Sequence, residues 1–154
     1  MEHFVATQSR AETAAMIERF EADFARLGYG AWAAEAPGEA PLIGFVGLVP
    51  ALAPLPFAPA VEIGWRLAAG FWGRGLASEG ARLALEFAFG ELALEEVVAT
   101  TSVANTRSWR LMERLGMHRD PTGDYMHPLV PPGHRLAPHV LYRLGADELD
   151  PTRS

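Results

Sequence analysis

The segment VEIGWRLAAGFWGRGLASE, residues 61–79, decides how this chain folds. Val61–Leu67 is a β-branched and aromatic run of the kind that forms a strand. Gly70, Gly73 and Gly75 follow, and Leu76 then opens a pattern in which Leu76, Leu83 and Phe87 share one helical face with small Gly80 and Ala84 beside them. The spacing predicts a helix to about Phe89. A strand that feeds a glycine loop, which in turn feeds a helix N-terminus, gathers backbone N–H groups at the positive end of the helix dipole. Glycine lets a ligand approach that backbone closely, and a diphosphate is the natural guest. A tight connection with no ligand is the other reading, and the loop alone does not separate the two. Two familiar phosphate loops are excluded. GxxxxGK[ST] requires a lysine, and all thirteen basic residues are arginine. The spacing GxGxxG would fall on Gly73 to Ser78, with serine in place of the last glycine, and the strand at 97–103 carries no acid to hold a ribose.

Outward from this segment, Ser9 and Glu12 form a capping box for a helix over residues 10–27, with Ile17, Phe20, Phe24 and Leu27 at helical spacing and Gly28 as the stop. Residues 30–36 and 42–49 read as a hairpin around Pro37-Gly38-Glu39. Pro50–Pro59 reads as an extended loop, either a plain connector or, through Leu52, Leu55 and Phe57, the mouth of a pocket. Val97–Val103 is a second clear strand. Asn105 caps a helix with Trp109, Met112 and Leu115 at i+3 spacing and Gly116 as its stop. A short strand starts at Met117, residues 120–138 are loop-like, Val140–Leu144 is the last strand, and residues 145–154 form a frayed polar tail. The order predicts an α+β fold of one domain over residues 1–154, with a mixed, mostly antiparallel sheet and one parallel pair where a helix joins strand 61–67 to strand 97–103.

Composition narrows the function. The chain has 154 residues, 49% of them hydrophobic, and a net charge of −6. That is one globular core's worth of chain, and an acidic one, which argues against a nucleic-acid partner and favours cationic ones. No cysteine is present, so disulfides, thiolate metal sites and a cysteine nucleophile are excluded. No apolar run reaches the length of a membrane span and the N-terminus has no secretory pattern, so the expectation is a cytoplasmic protein without a membrane partner. His118, His134 and His139 are too scattered to suggest a metal site, and Trp32, Trp65, Trp72 and Trp109 read as core or pocket wall.

Taken in order, EIGWRL (62–67), FWGRGLASE (71–79), NTRS (105–108) and LMERLGM (111–117) resemble the GNAT superfamily of acetyl-CoA-dependent N-acetyltransferases. The closer likeness is to its RimJ/RimL-like branch of ribosomal-protein N-terminal acetyltransferases. The superfamily's pyrophosphate loop, (Q/R)xxGx(G/A), falls on Trp72 to Ala77, with Trp72 departing from the Gln/Arg position. The resemblance implies two parallel strands that splay apart around acetyl-CoA. It implies a pantetheine arm beside Trp65, Arg66 and Leu67, and a pyrophosphate on the N–H groups of Gly73, Arg74, Gly75, Leu76, Ala77 and Ser78. Arg74 either adds charge to a phosphate or faces solvent. Asn105 bonds the cofactor arm, caps its helix, or does both, and Ser108 lies near the thioester sulfur or the phosphates.

The implied reaction is direct attack of a primary amine, of a protein N-terminus or a small molecule, on the thioester. Glu62 is the candidate base, acting through water. Many relatives carry a tyrosine where this chain has Met112, to protonate the departing thiolate; here Ser108 or Tyr125 takes that role, or no group does. His127 with Asp124 would suit a base or an amine site, or a stabilised turn. Relatives begin with an additional strand and helix ahead of a segment like MEHF (1–4), so the edge left open favours a homodimer. The alternatives to an enzyme are a non-catalytic acyl-CoA-binding module and a nucleotide-binding module built on the same loop.

Overall fold

The computed structural model describes residues 8–152, and the segment at 1–4 lies outside them. Helix α1 spans Arg10–Leu27, with the Ser9–Glu12 capping box formed and Gly28 in the left-handed region at its end. Strands β1 (Ala31–Ala36) and β2 (Ala40–Ala51) make the hairpin, β3 is Ala60–Leu67, α2 is Leu76–Gly90, and β4 is Glu96–Ser102. Helix α3 (Thr106–Arg114), the short β5 (His118–Arg119) and β6 (Tyr125–Met126), and β7 (Pro138–Gly145) complete the chain. The sheet runs β1-β2-β3-β4-β7-β5, with β6 also on β7. Every pairing is antiparallel except β3 with β4.

Side chains alternate across the sheet, and this sorts the helices. Val46 meets Gly80 of α2, while its neighbour Phe45 meets Phe20 of α1 at 5.2 Å on the other face. The core lies on the α2 face, where Leu48, Leu85, Val97, Ala99 and Leu144 are fully buried. Helix α1 buries no residue completely and holds on through rings: Phe20 meets Phe45 on its own face, and Phe24 meets Trp32, which shares the face of Val46 and packs on Phe87 of α2. At Gly47 a Cβ would stand 2.3 Å from the Gly30 carbonyl, so glycine there is a condition of the hairpin's close approach.

Three segments differ from the sequence reading. β2 continues through Pro50 to Ala51, because β1 pairs with β2 only as far as Gly47 and proline's missing N–H is tolerated where a strand has one neighbour. The 120–138 segment folds back on β7. A single 3-10 turn, Pro121–Gly123, is capped by Asp120, and Tyr125 and Met126 pair with His139 and Pro138. Residues 146–148 form another such turn, Leu149 packs against the core, and Arg82 donates to the Asp150 carbonyl at 2.9 Å.

The two faces of α2 make a direct test. Leu85→Ala, at a fully buried position, is expected to lower the unfolding free energy by about 3 kcal/mol in urea titrations. Leu83→Ala, at a residue 61% exposed, should change it by less than about 0.5 kcal/mol.

Candidate active site

β3 and β4 are joined at a single register pair, Glu62 with Val98. Beyond it the strands diverge, so Ile63–Leu67 keep only β2 as a neighbour and Ala99–Ser102 only β7. A cavity of about 870 Å³ opens from this gap, with Trp65, Arg66 and Leu67 on one wall and Asn105, Ser108 and Leu111 on the other. It continues across Trp72, Gly73 and Gly75 to Leu76, Ala77 and Ser78 at the start of α2. Gly73 and Gly75 have φ of +74° and +76°, and a Cβ on either would meet nothing within 4 Å. The loop therefore presents open backbone at a helix N-terminus. The Trp72 indole donates to the Leu67 carbonyl at 2.8 Å, tying the loop to the end of β3. That bond gives a physical role to the tryptophan that departs from the Gln/Arg pattern.

Two of the expected cofactor contacts look different in the structure. Arg74 does not line the cavity; it bonds both carboxylate oxygens of Glu39, at 2.9 and 2.6 Å, clamping the glycine loop to the hairpin turn. Asn105 caps α3 by accepting from the Ser108 N–H, and its two amide hydrogens go to Thr101 Oγ1 and Ser108 Oγ, both at 3.0 Å. Its donors are thus committed within the chain, and its influence on the cavity runs through Ser108. Because Ser108 Oγ accepts from Asn105, its own hydrogen remains to be donated. Met112 is 2% exposed and sits in the core.

At the junction where the gap begins, on the sheet face opposite Ile63, Glu62 accepts a 2.9 Å bond from Thr100 Oγ1. Burial pushes its carboxyl above the ordinary 4.5, with the Thr100 bond opposing. Gly64, the next residue on that face, has open space where a Cβ would be. The Tyr125 hydroxyl is buried and makes no hydrogen bond of good geometry, yet both Thr100 and Glu62 act on it; burial pushes it to about 12. Its ring packs on Phe57, His139 and His127.

His127 does not pair with Asp124, which is bound to Arg119 instead. The β6 fold-back sets His127 against His139, ring centroids 4.8 Å apart. His127 Nδ1 accepts from the Leu129 N–H and His139 Nδ1 donates to the Ala137 carbonyl, and burial lowers the pKa of both. Of the Pro-rich loop residues, Phe57 reaches this cluster, while Leu52 is exposed.

Thr100, His139, Arg82, Arg107 and Arg114 also belong to this region. Alternation along β4 could have found Thr100, which faces away from the core residue Ala99. Arg107 and Arg114 lie inside the NTRS and LMERLGM motifs, which gave them no role, while Arg82 carried no signal beyond helical phase.

Comparison with known proteins adds a family. The family model described as an acetyltransferase (GNAT) domain matches residues 1–118. The FsC-acetyl coenzyme A-N(2)-transacetylase of Aspergillus fumigatus is 36% identical over 114 residues, which cover 69% of this chain and 46% of that protein. The chain spans about half the length of the curated relatives it matches. Among solved structures, an acetyltransferase from Agrobacterium tumefaciens superposes with a TM-score of 0.69 at 28% identity, covering 90% of this chain and 74% of that one. Mycobacterium smegmatis RimJ in complex with CoA-disulfide shares the fold, with a TM-score of 0.73 at 21% identity over 97% of this chain and 70% of that one.

The Glu62 environment predicts its own signature. A carboxyl with a raised folded-state pKa contributes stability below the ordinary carboxylate pKa, and this is lost as pH rises through the folded value. Glu62→Gln should therefore melt above the parent at pH 7, with the gap closing as pH falls from the raised folded value toward 4.5. Scanning calorimetry across that range checks both sign and window.

Proposed function

This chain belongs to the GNAT acetyltransferase family, and we propose that it transfers the acetyl group of acetyl-CoA to a primary amine. The carrying observation is the single-pair junction of β3 and β4, with Glu62 in that pair and, beyond it, a cavity floored by the glycine loop. The name of the Aspergillus relative, which specifies acetyl-coenzyme A and an N(2) position, supports nitrogen as the acceptor atom. The motif resemblance and the shared fold with RimJ and with the ribosomal-protein-S5-alanine acetyltransferase of Vibrio fischeri support the RimJ/RimL-like branch. A protein N-terminus or a small amine is then the acceptor, and the net charge of −6 favours a cationic one. We assign the chain one acetyltransferase domain, a cytoplasmic setting, and a second copy pairing along the side of β1 that has no neighbouring strand among the described residues.

The residues present fit the cofactor. The open backbone of Gly73 and Gly75, with the α2 N-terminus behind it, suits a diphosphate, and the side of β3 beyond Ile63 that no second strand covers among the described residues suits an extended amide arm added like a strand. Bound acetyl-CoA supplies an activated acyl carbon and a thiol leaving group. Glu62, held by Thr100, takes the proton of the arriving ammonium, directly or through water, and its raised pKa makes it a better base than an ordinary carboxylate. The N–C bond forms as the C–S bond breaks, and the proton shed by the new amide nitrogen ends on sulfur. Ser108 Oγ, oriented by Asn105, is the atom best able to donate at the cavity wall, and the buried Tyr125 hydroxyl is the donor on the acceptor side. His127 neighbours the acceptor side through its stacking on Tyr125 and His139.

A second reading, a non-catalytic acyl-CoA-binding module, draws on Met112, which is core where many relatives carry the acid. Thermal unfolding with acetyl-CoA, and with NADH and ATP for comparison, tests the cofactor. Ligand at about 100 times its Kd adds about 2.7 kcal/mol, a rise of about 5–15 °C. A panel of primary amines, followed by thiol release, tests turnover. Glu62→Gln should lower kcat about 10²- to 10⁴-fold with acetyl-CoA affinity retained. The acid limb of the rate profile should lie above pH 4.5. Tight binding without turnover across the panel would establish the module instead.

A further inference from the structure

The far end of the cavity holds cations that diphosphate binding does not use. Gly75 caps α2, and Arg82 stands two helical turns further on, about 10 Å along the axis and on the same side. Arg82 lines the cavity beyond Ser78, as do Arg114 at the end of α3 and the C-terminal residues Pro151 and Thr152. Arg107, by contrast, lies 4.5 Å over the Trp72 ring and so belongs to the glycine loop. Arg82 is divided in its contacts. Nη1 donates to the Asp150 carbonyl at 2.9 Å, which seats the C-terminal segment, while Nη2 is buried and has no hydrogen-bond partner. The Asp150 carboxylate is turned to Thr152, accepting from its N–H at 2.8 Å and its hydroxyl at 2.7 Å. Glu79 is the acid among the residues that line the cavity. A buried guanidinium nitrogen left unpartnered is costly, and a charged acceptor in the cavity that Arg82 lines would remove that cost by drawing the guanidinium toward it.

Coenzyme A carries such an acceptor. Besides the diphosphate it bears a phosphomonoester on the ribose 3′-oxygen, a dianion suited to guanidinium. Resting on the acetyl-CoA reading of this cavity, we propose that Arg82, seated by the C-terminal residues it tethers and joined by Arg114, reads the 3′-phosphate. The chain thereby selects coenzyme A thioesters over nucleotides and dephosphorylated forms. The loop recognises what those ligands share; Arg82 recognises what only coenzyme A has. The C-terminal segment is then part of the binding site.

Isothermal titration of the full chain with coenzyme A and with 3′-dephospho-coenzyme A tests this without any substitution. The parent is expected to bind coenzyme A at least about tenfold tighter. In Arg82→Gln that ratio should collapse to within about twofold, with affinity for the dephospho form close to the parent's. Arg114→Gln should reduce the ratio in part. Equal affinity for the two ligands in the parent overturns the proposal, as does an Arg82→Gln variant that keeps the ratio or weakens both ligands equally. The last result would assign the guanidinium to the diphosphate. Failure of the parent to bind either ligand would instead overturn the acetyl-CoA reading of the cavity itself.

Discussion

One missing stretch of ladder organises this molecule. β3 and β4 run parallel and meet only where Glu62 faces Val98. Had the ladder continued, Trp65–Leu67 would be sealed against β4 and the sheet would be closed. Because it stops, this stretch of β3 has no strand beside it on the β4 side among the described residues, and the Leu67 carbonyl takes the Trp72 indole instead. The helices are arranged around that gap. The start of α2 aims its N–H groups into it, and α3 lines the opposite wall through Ser108 and Leu111.

The two faces of the sheet then divide the work. The α2 face is a dry core of fully buried aliphatic side chains, and it supports the loop that meets the cofactor. The α1 face is more polar. There Glu62, Thr100, Tyr125, His127 and His139 converge from β3, β4, β6 and β7. The single-pair junction is where these chemistries touch, which is what direct transfer between two bound reactants requires.

Much of this was legible in the sequence because local signals and tertiary demands agreed. The Ser9–Glu12 box, Gly28, Asn105 and the glycines of residues 70–75 each sit where the backbone needs them. The 120–138 segment was not legible, because two-residue strands leave no period to read and its order comes from ring contacts with a strand thirteen residues further on. Asp124 and His127 were natural partners by spacing, but the β6 pairing turns them apart and Arg119 captures the acid. Arg74 looked like a phosphate ligand by motif position and is instead held by Glu39, thirty-five residues upstream. Helical spacing gave the helices, but the face it marked on α2 with Leu76, Leu83 and Phe87 is not the buried one, which is Ala81, Ala84, Leu85 and Ala88, and the destination of long charged side chains depended on contacts remote in sequence.

Helix α1 has eighteen residues and none fully buried. Its attachment is a few ring edges, so it stands at the low end of local stability in a molecule whose other face is solidly packed. The face it covers carries Glu62, Gly64 and Arg66. On the proposed reaction, the fold would grip the donor on a rigid bed and meet the acceptor beneath a loosely attached cover, which would assign fidelity to one donor and tolerance of different acceptors to opposite sides of a single sheet.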